Sequence, residues 1–420
     1  MMSNVSTLNV LLYGKLIGTI TDVGGDRSLF AFTQEYIENS ERPILSLGFK
    51  DTLGELITDF NPTQTKLIPF FSNLLPEAEM RNYLAERANV NPDREFFLLW
   101  VLGQDLSGAV TVEPADGEAF PPNVNELTDD EEPQKEGALR FSLAGVQLKF
   151  SAVKNTSGGL TISVSGAGGS WIVKLPSSRF EDVPENEFSM MELARKIGMD
   201  VPETDLIDIQ DIENIPSGIE KFGGSAFIIK RFDRNGFEEN NRGSLVHVED
   251  FAQIFGVRPV DKYKKATMRR IAQVIGIEGQ ESDIEEFIRR LVFNVLIGNA
   301  DMHLKNWSLI YKDPQMPSIS PAYDFVSTIA YIRDNSMALK VSRSDRFDAF
   351  SMDELSHLAA KARLPEKLVL DTARETVERF HDVWGEDKTN LALTKDAIDA
   401  IDEHLKKLPI VSGKFSVYPY

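Results

Sequence analysis

Hydrophobic and polar positions alternate along the start of the chain and later recur at helical spacing. The alternation predicts strands over Leu8–Tyr13 and Leu16–Thr21, joined by a hairpin turn at Gly14 and Lys15. After Pro62 the spacing becomes helical. It predicts three helices, over Thr65–Asn73, Glu77–Arg87 and Arg94–Leu102.

A polar and acidic stretch interrupts this pattern between Thr111 and Gly137. It contains prolines and an acidic group made of Glu126, Asp129, Asp130, Glu131 and Glu132. Since a segment of this composition offers little apolar surface to bury, we predict a solvated linker or loop here.

Alternation returns beyond this linker and predicts a second β-rich stretch. Its strands are predicted over Arg140–Val153, Thr161–Val164, Trp171–Leu175 and Ala226–Phe232. A helix over Glu185–Ile197, ended by Gly198, separates the third of these strands from the fourth. Beyond Val246 the pattern is mostly helical to about Leu408.

This order of elements predicts an α+β chain with several folded parts. The 420 residues exceed the ~250–300 at which a single hydrophobic core usually stops growing. We therefore expect a β-rich N-terminal subdomain over residues 1–110 and an acidic linker over 111–138. A β-rich lobe would follow over 139–236, and a helical lobe over 237–420.

Composition and charge exclude several classes of protein. No apolar run reaches the ~20 residues of a membrane span, and no basic region precedes the short apolar stretch at the start. The absence of cysteine excludes thiolate metal ligands and suits a cytoplasmic location. The five scattered histidines predict no zinc site. Because the formal net charge is −20, contact with DNA is expected mainly through a partner protein.

A dense polar segment directly follows the most regular apolar helix of the chain. Ser282 and Glu285 predict a capping box, and apolar residues then recur at helical spacing from Ile284 to Leu296. Gly298 suits the position just past the helix end. The chain then continues as NADMHLKN, residues 299–306.

The residues that follow complete the layout of a kinase catalytic centre. A strand predicted over Trp307–Tyr311 and a turn near Asp313 lead back to Asp324. In kinases an aspartate accepts the proton of the substrate hydroxyl, and an asparagine five residues later holds Mg²⁺. A second aspartate, delivered by a short hairpin, bridges the metal to the phosphates. Asp301, Asn306 and Asp324 have this order and spacing. Alone, the spacing from Asp301 to Asn306 more often marks a capped turn, and the Tyr-Asp-Phe sequence around Asp324 is more often incidental.

Upstream residues supply candidates for binding ATP. Lys174 lies in a short apolar strand, where a lone charge is costly, and is therefore predicted to contact the phosphates of ATP. The alternative is a lysine on an edge strand that faces solvent. Glu187 or Glu192 is a candidate partner for Lys174, and the sequence does not choose between them. The backbone from Ile229 to Phe232, which includes Lys230, is predicted to bind adenine, and Asp233 is predicted to bind the ribose.

No GxGxxG motif precedes Lys174, so the phosphate-binding loop must have another form. The glycine-rich segment 165–169 lies too close to Lys174 and is predicted to be a hairpin turn. The better candidate is SLAGVQLK, residues 142–149, whose small residues and backbone N–H groups suit a phosphate.

Several separately placed motifs resemble those of the HipA family, the toxin kinases of bacterial toxin–antitoxin pairs. They are SLAGVQLK (142–149), IVKLP (172–176), FIIKRFDR (227–234), GNADMHLKN (298–306), AYDFVS (322–327) and, near the start, FFSNLLPE (70–77). The resemblance implies a two-lobed kinase-like fold, with 139–236 as N-lobe, 237–420 as C-lobe and an extra N-terminal subdomain. It also implies ATP- and Mg²⁺-dependent serine/threonine kinase activity, with an aminoacyl-tRNA synthetase as the substrate class. The implied partner is a helix-turn-helix antitoxin, through which operator DNA would be bound.

The resemblance also assigns roles to individual residues. Ser142 would be autophosphorylated, which would pull Leu143–Lys149 out of the nucleotide site and inactivate the enzyme. Leu148 departs from the family, where a polar residue is expected. His303 matches a position near the nucleotide, the alternative being a histidine that only supports the loop. With Asp301 as base and Asn306 and Asp324 as metal ligands, the expected ATP-binding residues are Leu143, Ala144, Gly145, Val146, Gln147, Lys149, Lys174, Lys230, Phe232, Asp233, His303, Asn306 and Asp324.

Two other functions fit parts of this pattern. A small-molecule phosphotransferase would use the same Asp301, Asn306 and Asp324, but it would not explain FFSNLLPE or the Ser142 loop. A non-catalytic corepressor that binds an antitoxin would not need an intact base and metal ligands. A P-loop or dinucleotide-binding enzyme is disfavoured because neither glycine fingerprint is present.

Overall fold

A computed structural model describes residues 6–88, 90–115, 148–154, 160–162, 169–177, 179–215, 223–236, 243–332 and 334–412. The chain divides into two compact units. The first comprises Met1–Glu181, Ile207–Val260 and Ile310–Gln315, and the second comprises Asp182–Leu206, Asp261–Leu309 and Met316–Tyr420. The helix predicted after Lys174 thus belongs to the second unit, and residues 237–260 to the first. This division differs from a single boundary after residue 236.

Several of the strands and helices lie close to the predicted positions. However, β5 occupies the half-buried stretch Val110–Pro114, where the solvated linker was predicted to begin, and strands also occur beyond Val246, where mostly helix was predicted. The strands are β1 (Thr7–Leu12), β2 (Lys15–Gly24), β3 (Arg27–Phe32), β4 (Thr63–Gln64), β5 (Val110–Pro114), β6 (Lys149–Lys154), β7 (Leu160–Ile162), β8 (Trp171–Lys174), β9 (Thr204–Asp208), β10 (Ile212–Glu213), β11 (Ser225–Lys230), β12 (Arg234–Asn235), β13 (Ser244–Leu245), β14 (His247–Asp250), β15 (Ser308–Asp313) and β16 (Met316–Ile319). The helices are α1 (Gln34–Glu38), α2 (Pro69–Leu74), α3 (Ala78–Arg87), α4 (Glu95–Leu102), α5 (Val183–Lys196), α6 (Phe251–Ile254), α7 (Met268–Glu278), α8 (Glu281–Leu296), α9 (Met352–Ala362), α10 (Glu366–Asp387), α11 (Lys395–Leu405) and α12 (Pro409–Ser412).

The first unit begins with an antiparallel sheet in which β4, β3, β2, β1 and β5 are hydrogen-bonded in that order. Alternate residues of β1 are buried, which explains the alternating sequence pattern. The hairpin between β1 and β2 turns at Tyr13 and Gly14, with φ of 52° and 73°, one residue earlier than predicted. A tight hairpin turn with positive φ at both central residues matches the twist of the strands, and Gly14 adopts it without strain.

The segment FFSNLLPE forms α2 and the turn after it, and a buried carboxylate fixes its position. Glu95, 2% exposed at the start of α4, accepts hydrogen bonds from the Leu67 N–H (2.8 Å) and the Ser72 hydroxyl, and it forms an ion pair with Arg81 (3.1 Å). The Asn73 amide donates to the Val257 carbonyl (2.8 Å). These contacts give the motif a structural role within the first unit.

A second sheet in the first unit carries the strands predicted to bind ATP. β10, β7, β6, β8 and β11 are hydrogen-bonded in that order, so β8 is flanked by β6 and β11. Within β8, Trp171 and Val173 are buried, and residues of β6 and β11 lie directly opposite them.

A fully buried carboxylate joins three segments of the first unit. Glu249 in β14 accepts hydrogen bonds from the Ser46 hydroxyl (2.5 Å), the Leu47 N–H (3.0 Å) and the Tyr311 hydroxyl (2.5 Å). Burial raises the pKa of Glu249 to about 7, although these three donors act in the opposite direction. The carboxyl group therefore holds its proton to a higher pH in the folded chain than in the unfolded one.

This elevated pKa predicts that the first unit loses stability as the pH rises. The contribution of Glu249 is fully present below its unfolded pKa of 4.5 and is lost as the pH rises through about 7, a difference of about 3 kcal/mol. Glu249→Gln should flatten the decline in unfolding free energy between about pH 5 and 7. Urea unfolding of the first unit at several pH values measures this, with the exposed Glu35→Gln as matched control. An unchanged pH slope in Glu249→Gln would contradict the assignment.

The second unit is built mainly from helices packed around α8. Phe287, Leu291 and Val295 on α8 are fully buried, and α10 packs along this helix. The start of α8 is one residue earlier than the predicted capping box at Ser282. The Gln280 N–H donates to the Asp283 carboxylate (2.7 Å), so Asp283 rather than Glu285 supplies the capping carboxylate. Among the described residues, no helix is long and apolar enough to cross a membrane.

Candidate active site

Gly298 ends α8 and starts the predicted catalytic loop. Its φ is +66°, and a Cβ added there would lie 2.4 Å from the Cδ1 atom of Ile329. Its carbonyl accepts hydrogen bonds from the Thr328 hydroxyl (3.1 Å) and the Ile329 N–H (3.3 Å). Both the backbone conformation and the close approach therefore require glycine here.

Asp301 is held by hydrogen bonds to its backbone, while its side chain reaches the surface. Its N–H donates to the Asn299 side chain (2.9 Å). Its carbonyl accepts from the His303 N–H (2.8 Å) and from the Asn306 side-chain amide (2.9 Å). The Tyr263 hydroxyl donates to Oδ1 of the carboxylate (2.7 Å). Asn299, His303 and Asn306, which belong to the same motif, therefore hold the backbone of the predicted base in place.

Asn299 connects this loop to the segment around Asp324, and Asn186 connects that segment to α5. The Asn299 amide donates to the Asn294 side chain (2.8 Å) and to the Asp324 carbonyl (3.4 Å). Asp324 has a φ of 58°, a left-handed conformation that is costly outside glycine and is found at functional sites. The buried Asn186 of α5 accepts from the Ser327 N–H (2.9 Å) and donates to the Ser327 carbonyl (3.2 Å).

Asn306 and Asp324 line one small pocket, together with Asn294, Asn299 and Arg290. The Asn306 amide nitrogen donates to the Asp301 carbonyl (2.9 Å), and the side-chain oxygen of Asn306 is an atom of the type that binds Mg²⁺. Mg²⁺ prefers oxygen ligands and is usually bound by one or two protein groups plus phosphates and water. The side-chain oxygens of Asn306 and Asp324 meet this chemical preference, and the role of the two residues as metal ligands stays a prediction.

The side chain of His303, within this loop, is buried. It is 6% exposed, and the ring of Tyr263 meets the imidazole edge-on with ring centroids 5.0 Å apart. Its backbone bonds to Asp301 and to the Asn306 N–H (3.0 Å) keep the loop compact. The position near the nucleotide that the resemblance implied stays a prediction.

In the first unit, Lys174 is a buried lysine in a central strand. It is 8% exposed, and its ammonium lies 5.7 Å from the centre of the Phe227 ring. Lys149 on β6 and Phe227 on β11 are its register partners. The alternative of a solvent-facing edge lysine is therefore wrong.

Of the two candidate partners for Lys174, Glu192 is engaged elsewhere. It forms an ion pair with Arg195 and accepts from the Thr204 hydroxyl (3.2 Å) in the second unit. Glu187 on the same helix is 1% exposed and stays a candidate.

The segment predicted to bind adenine continues from the end of β11. Lys230 is exposed and pairs with Trp171 through the backbone, and the Arg231 N–H donates to the Ser170 carbonyl (2.8 Å). Phe232 follows as a half-buried residue. The role of this segment in binding adenine stays a prediction.

The assignment of Asp233 to the ribose is wrong, because its carboxylate lies in a buried ion network. It accepts from Arg231 (2.9 and 3.0 Å), from Arg234 (2.9 Å) and from the Gly108 N–H (2.8 Å). Burial alone would raise the pKa of Asp233, but the two guanidinium groups lower it below its usual value. Asp105 accepts from the same two arginines (2.7 and 3.2 Å).

The structure also contains residues that the sequence analysis missed. Asp105 and Glu249 had no motif to mark them, because a single carboxylate in a polar or apolar stretch looks ordinary. Tyr263 lies in a basic segment that resembles a solvated turn. Six residues of the predicted phosphate loop, among them the predicted autophosphorylation site, lie outside the described residues: Ser142, Leu143, Ala144, Gly145, Val146 and Gln147. Of its last two residues, Leu148 is buried and the exposed Lys149 begins β6, so the role of Lys149 in binding ATP stays a prediction.

Together, the α+β fold, the buried strand lysine and the loop from Asp301 to Asp324 define a protein of the kinase-like class. A HipA-like C-terminal domain matches residues 141–384, and a HipA N-terminal domain matches residues 8–113. The chain therefore belongs to the HipA family.

Relatives with known names agree with this family. The protein named “Putative kinase Y4dM” of Sinorhizobium fredii is 55% identical over 96% of this chain and 97% of its own length. The serine/threonine-protein kinase toxin HipA of Shewanella oneidensis is 25% identical over 77% of both chains. The solved complex of Shewanella oneidensis HipA, HipB and operator DNA shares the fold, with a TM-score of 0.72, 22% identity and 95% of both chains covered.

Proposed function

We propose that the chain is a serine/threonine-protein kinase toxin of a toxin–antitoxin module. It would transfer the γ-phosphate of ATP to a protein hydroxyl, with Asp301 as catalytic base. The observation that carries this proposal is the loop in which Asn299, Asn306 and the Asp324 segment are hydrogen-bonded around Asp301. Such mutual support holds the groups of phosphoryl transfer in place before the substrate binds.

The exposed carboxylate of Asp301 suits the role of base. The acceptor hydroxyl would donate its proton to Asp301 as its oxygen attacks the γ-phosphorus and the bond to the β-phosphate oxygen breaks. ADP is the leaving group. Because the loop fixes the backbone of Asp301 on both sides, little reorganisation is needed.

The proposed ligands of Mg²⁺ belong to the second unit, and the residues proposed below to contact the phosphates and adenine belong to the first. Asn306 and Asp324 would hold Mg²⁺, which neutralises charge on the phosphates when bound. Lys174 would contact the phosphates, and the backbone from Lys230 to Phe232 would contact adenine. Arg231, Asp233 and Arg234 would serve the adenine segment indirectly, by fixing its backbone.

We propose partners for this chain on the basis of its family and of its net negative charge. A helix-turn-helix antitoxin would bind this chain and carry most of the affinity for operator DNA, since a net charge of −20 opposes DNA binding by the chain alone. The solved relative with HipB and operator DNA supports this arrangement. An aminoacyl-tRNA synthetase is the proposed class of protein substrate.

We further propose that the kinase inactivates itself at Ser142. A phosphate there adds about −1.5 to −2 charges. Repulsion from the phosphates of bound ATP would then expel the loop Leu143–Lys149.

Mass spectrometry of the chain after incubation with ATP and Mg²⁺ tests the proposal. We expect one phosphate on Ser142, absent from Ser142→Ala and from Asp324→Asn. Ser142→Ala should still bind ATP and should not lose activity with time. If saturating ATP leaves the unphosphorylated chain unmodified, self-inactivation at Ser142 is refuted. If Asp324→Asn is modified as fast as the parent, the metal site is wrong.

A further inference from the structure

The hydroxyl of Tyr263 occupies a position that a phosphate acceptor should take. It lies 2.7 Å from Oδ1 of Asp301 and donates a hydrogen bond to it. In the proposed reaction, the acceptor hydroxyl must approach this carboxylate to within about 2.6–3.2 Å. The phenol therefore makes the contact that a serine or threonine hydroxyl would make before transfer.

Tyr263 is tied to the catalytic loop by its backbone neighbour and by its ring. The Lys262 carbonyl accepts from the Leu304 N–H (3.4 Å), and the Tyr263 ring packs edge-on against His303, with the centroids 5.0 Å apart. The Tyr263 side chain is nevertheless 43% exposed. It lies in a turn between Asp261 and α7, where the Lys264 N–H bonds to the Asp261 carbonyl (2.9 Å). Since the Asp301 side chain is exposed as well, the contact between the phenol and the carboxylate lies at the surface, where an incoming acceptor can reach it.

On the basis of the proposed function, we infer that Tyr263 is an acceptor mimic: its phenol takes the place of the acceptor hydroxyl at Asp301 and thereby restrains the kinase. The phenol occupies Oδ1 of the carboxylate and so excludes another hydroxyl from it. A protein substrate must displace the phenol, whereas water, which gains few other contacts, competes poorly with it. The contact therefore suppresses ATP hydrolysis in the absence of substrate.

ATP hydrolysis by the full chain with Mg²⁺ tests this inference, because water then serves as the acceptor. Tyr263→Phe keeps the ring against His303 and removes the hydroxyl. We expect ADP release to rise about three- to tenfold, the range that a partly exposed hydrogen bond to a carboxylate supports. Tyr13→Phe removes a phenol hydroxyl bonded to the Tyr311 carbonyl in the first unit and should leave the rate unchanged.

A double variant tests whether the effect of Tyr263 on ATP hydrolysis depends on the Asp301 carboxylate. Asp301→Asn with Tyr263→Phe should show the low rate of Asp301→Asn alone, because the mimic acts through that carboxylate. An unchanged or lower rate in Tyr263→Phe would overturn the inference, as would a phosphate transferred to Tyr263 in the parent chain. If the parent and Asp301→Asn release ADP equally, the proposed function itself fails, and the inference falls with it.

Discussion

Replacing Asp301 with asparagine is expected to slow phosphoryl transfer by about 10²- to 10⁴-fold, the usual contribution of a positioned base. Asparagine has nearly the same size as aspartate. The backbone bonds from Asn299, His303 and Asn306 can therefore persist in the variant. The amide cannot accept the proton of the acceptor hydroxyl. Transfer of labelled phosphate from ATP, to the chain itself and to a mixture of serine and threonine peptides, measures the loss.

Measuring the ATP affinity of the variant distinguishes loss of the catalytic base from loss of the folded structure. Since Asp301 is not among the predicted nucleotide ligands, ATP affinity should change less than about threefold, within the scatter of a surface substitution. Asp399→Asn, at an exposed position of α11, is the matched control and should keep full activity. Equal transfer rates in Asp301→Asn and the parent would refute Asp301 as the base. A variant that binds no ATP would instead show that Asp301 organises the loop.

Local patterns predicted many of the helices, the strands around Lys174 and the order of the candidate catalytic groups. The apolar spacing of α8 and the glycine after it follow from short-range rules, and so does the polar loop from Asn299 to Asn306. The ends of elements depend on individual hydrogen bonds. The turn at Tyr13 and Gly14 and the cap at Gln280 each differ from prediction by one or two residues for this reason.

The burial of single carboxylates could not be predicted in the same way. Asp233 follows a strand and precedes a turn, where an exposed polar residue is the ordinary expectation. Its arginine partner Arg231 also binds Asp105, which lies 126 positions away along the chain. No local rule connects two segments at that separation, so the ion network became visible only in the folded chain. The contact between Tyr263 and Asp301, 38 positions apart, was hidden for the same reason.

The second large effect is expected on stability, when the ion network around Asp233 is disrupted. Asp233→Asn should lower the unfolding free energy of the first unit by about 3–5 kcal/mol, because breaking a buried ion pair leaves a charge uncompensated. Arg231 and Arg234 are each less than a tenth exposed, and Asp105 alone would have to balance both of them. Urea unfolding measured by hydrogen exchange in the first unit reports this loss. The exposed Asp59→Asn serves as control.

A compensating variant distinguishes uncompensated charge from lost packing. Asp233→Asn combined with Arg234→Met leaves Arg231 and Asp105 as a balanced pair (2.7 Å) and should be more stable than Asp233→Asn alone. If charge is not the cause, the double variant will be less stable than either single one. Because Arg231 follows β11 directly, ATP affinity should fall in Asp233→Asn and recover in the double variant. Recovery of stability without recovery of ATP affinity would show that the network supports the fold but not the adenine segment.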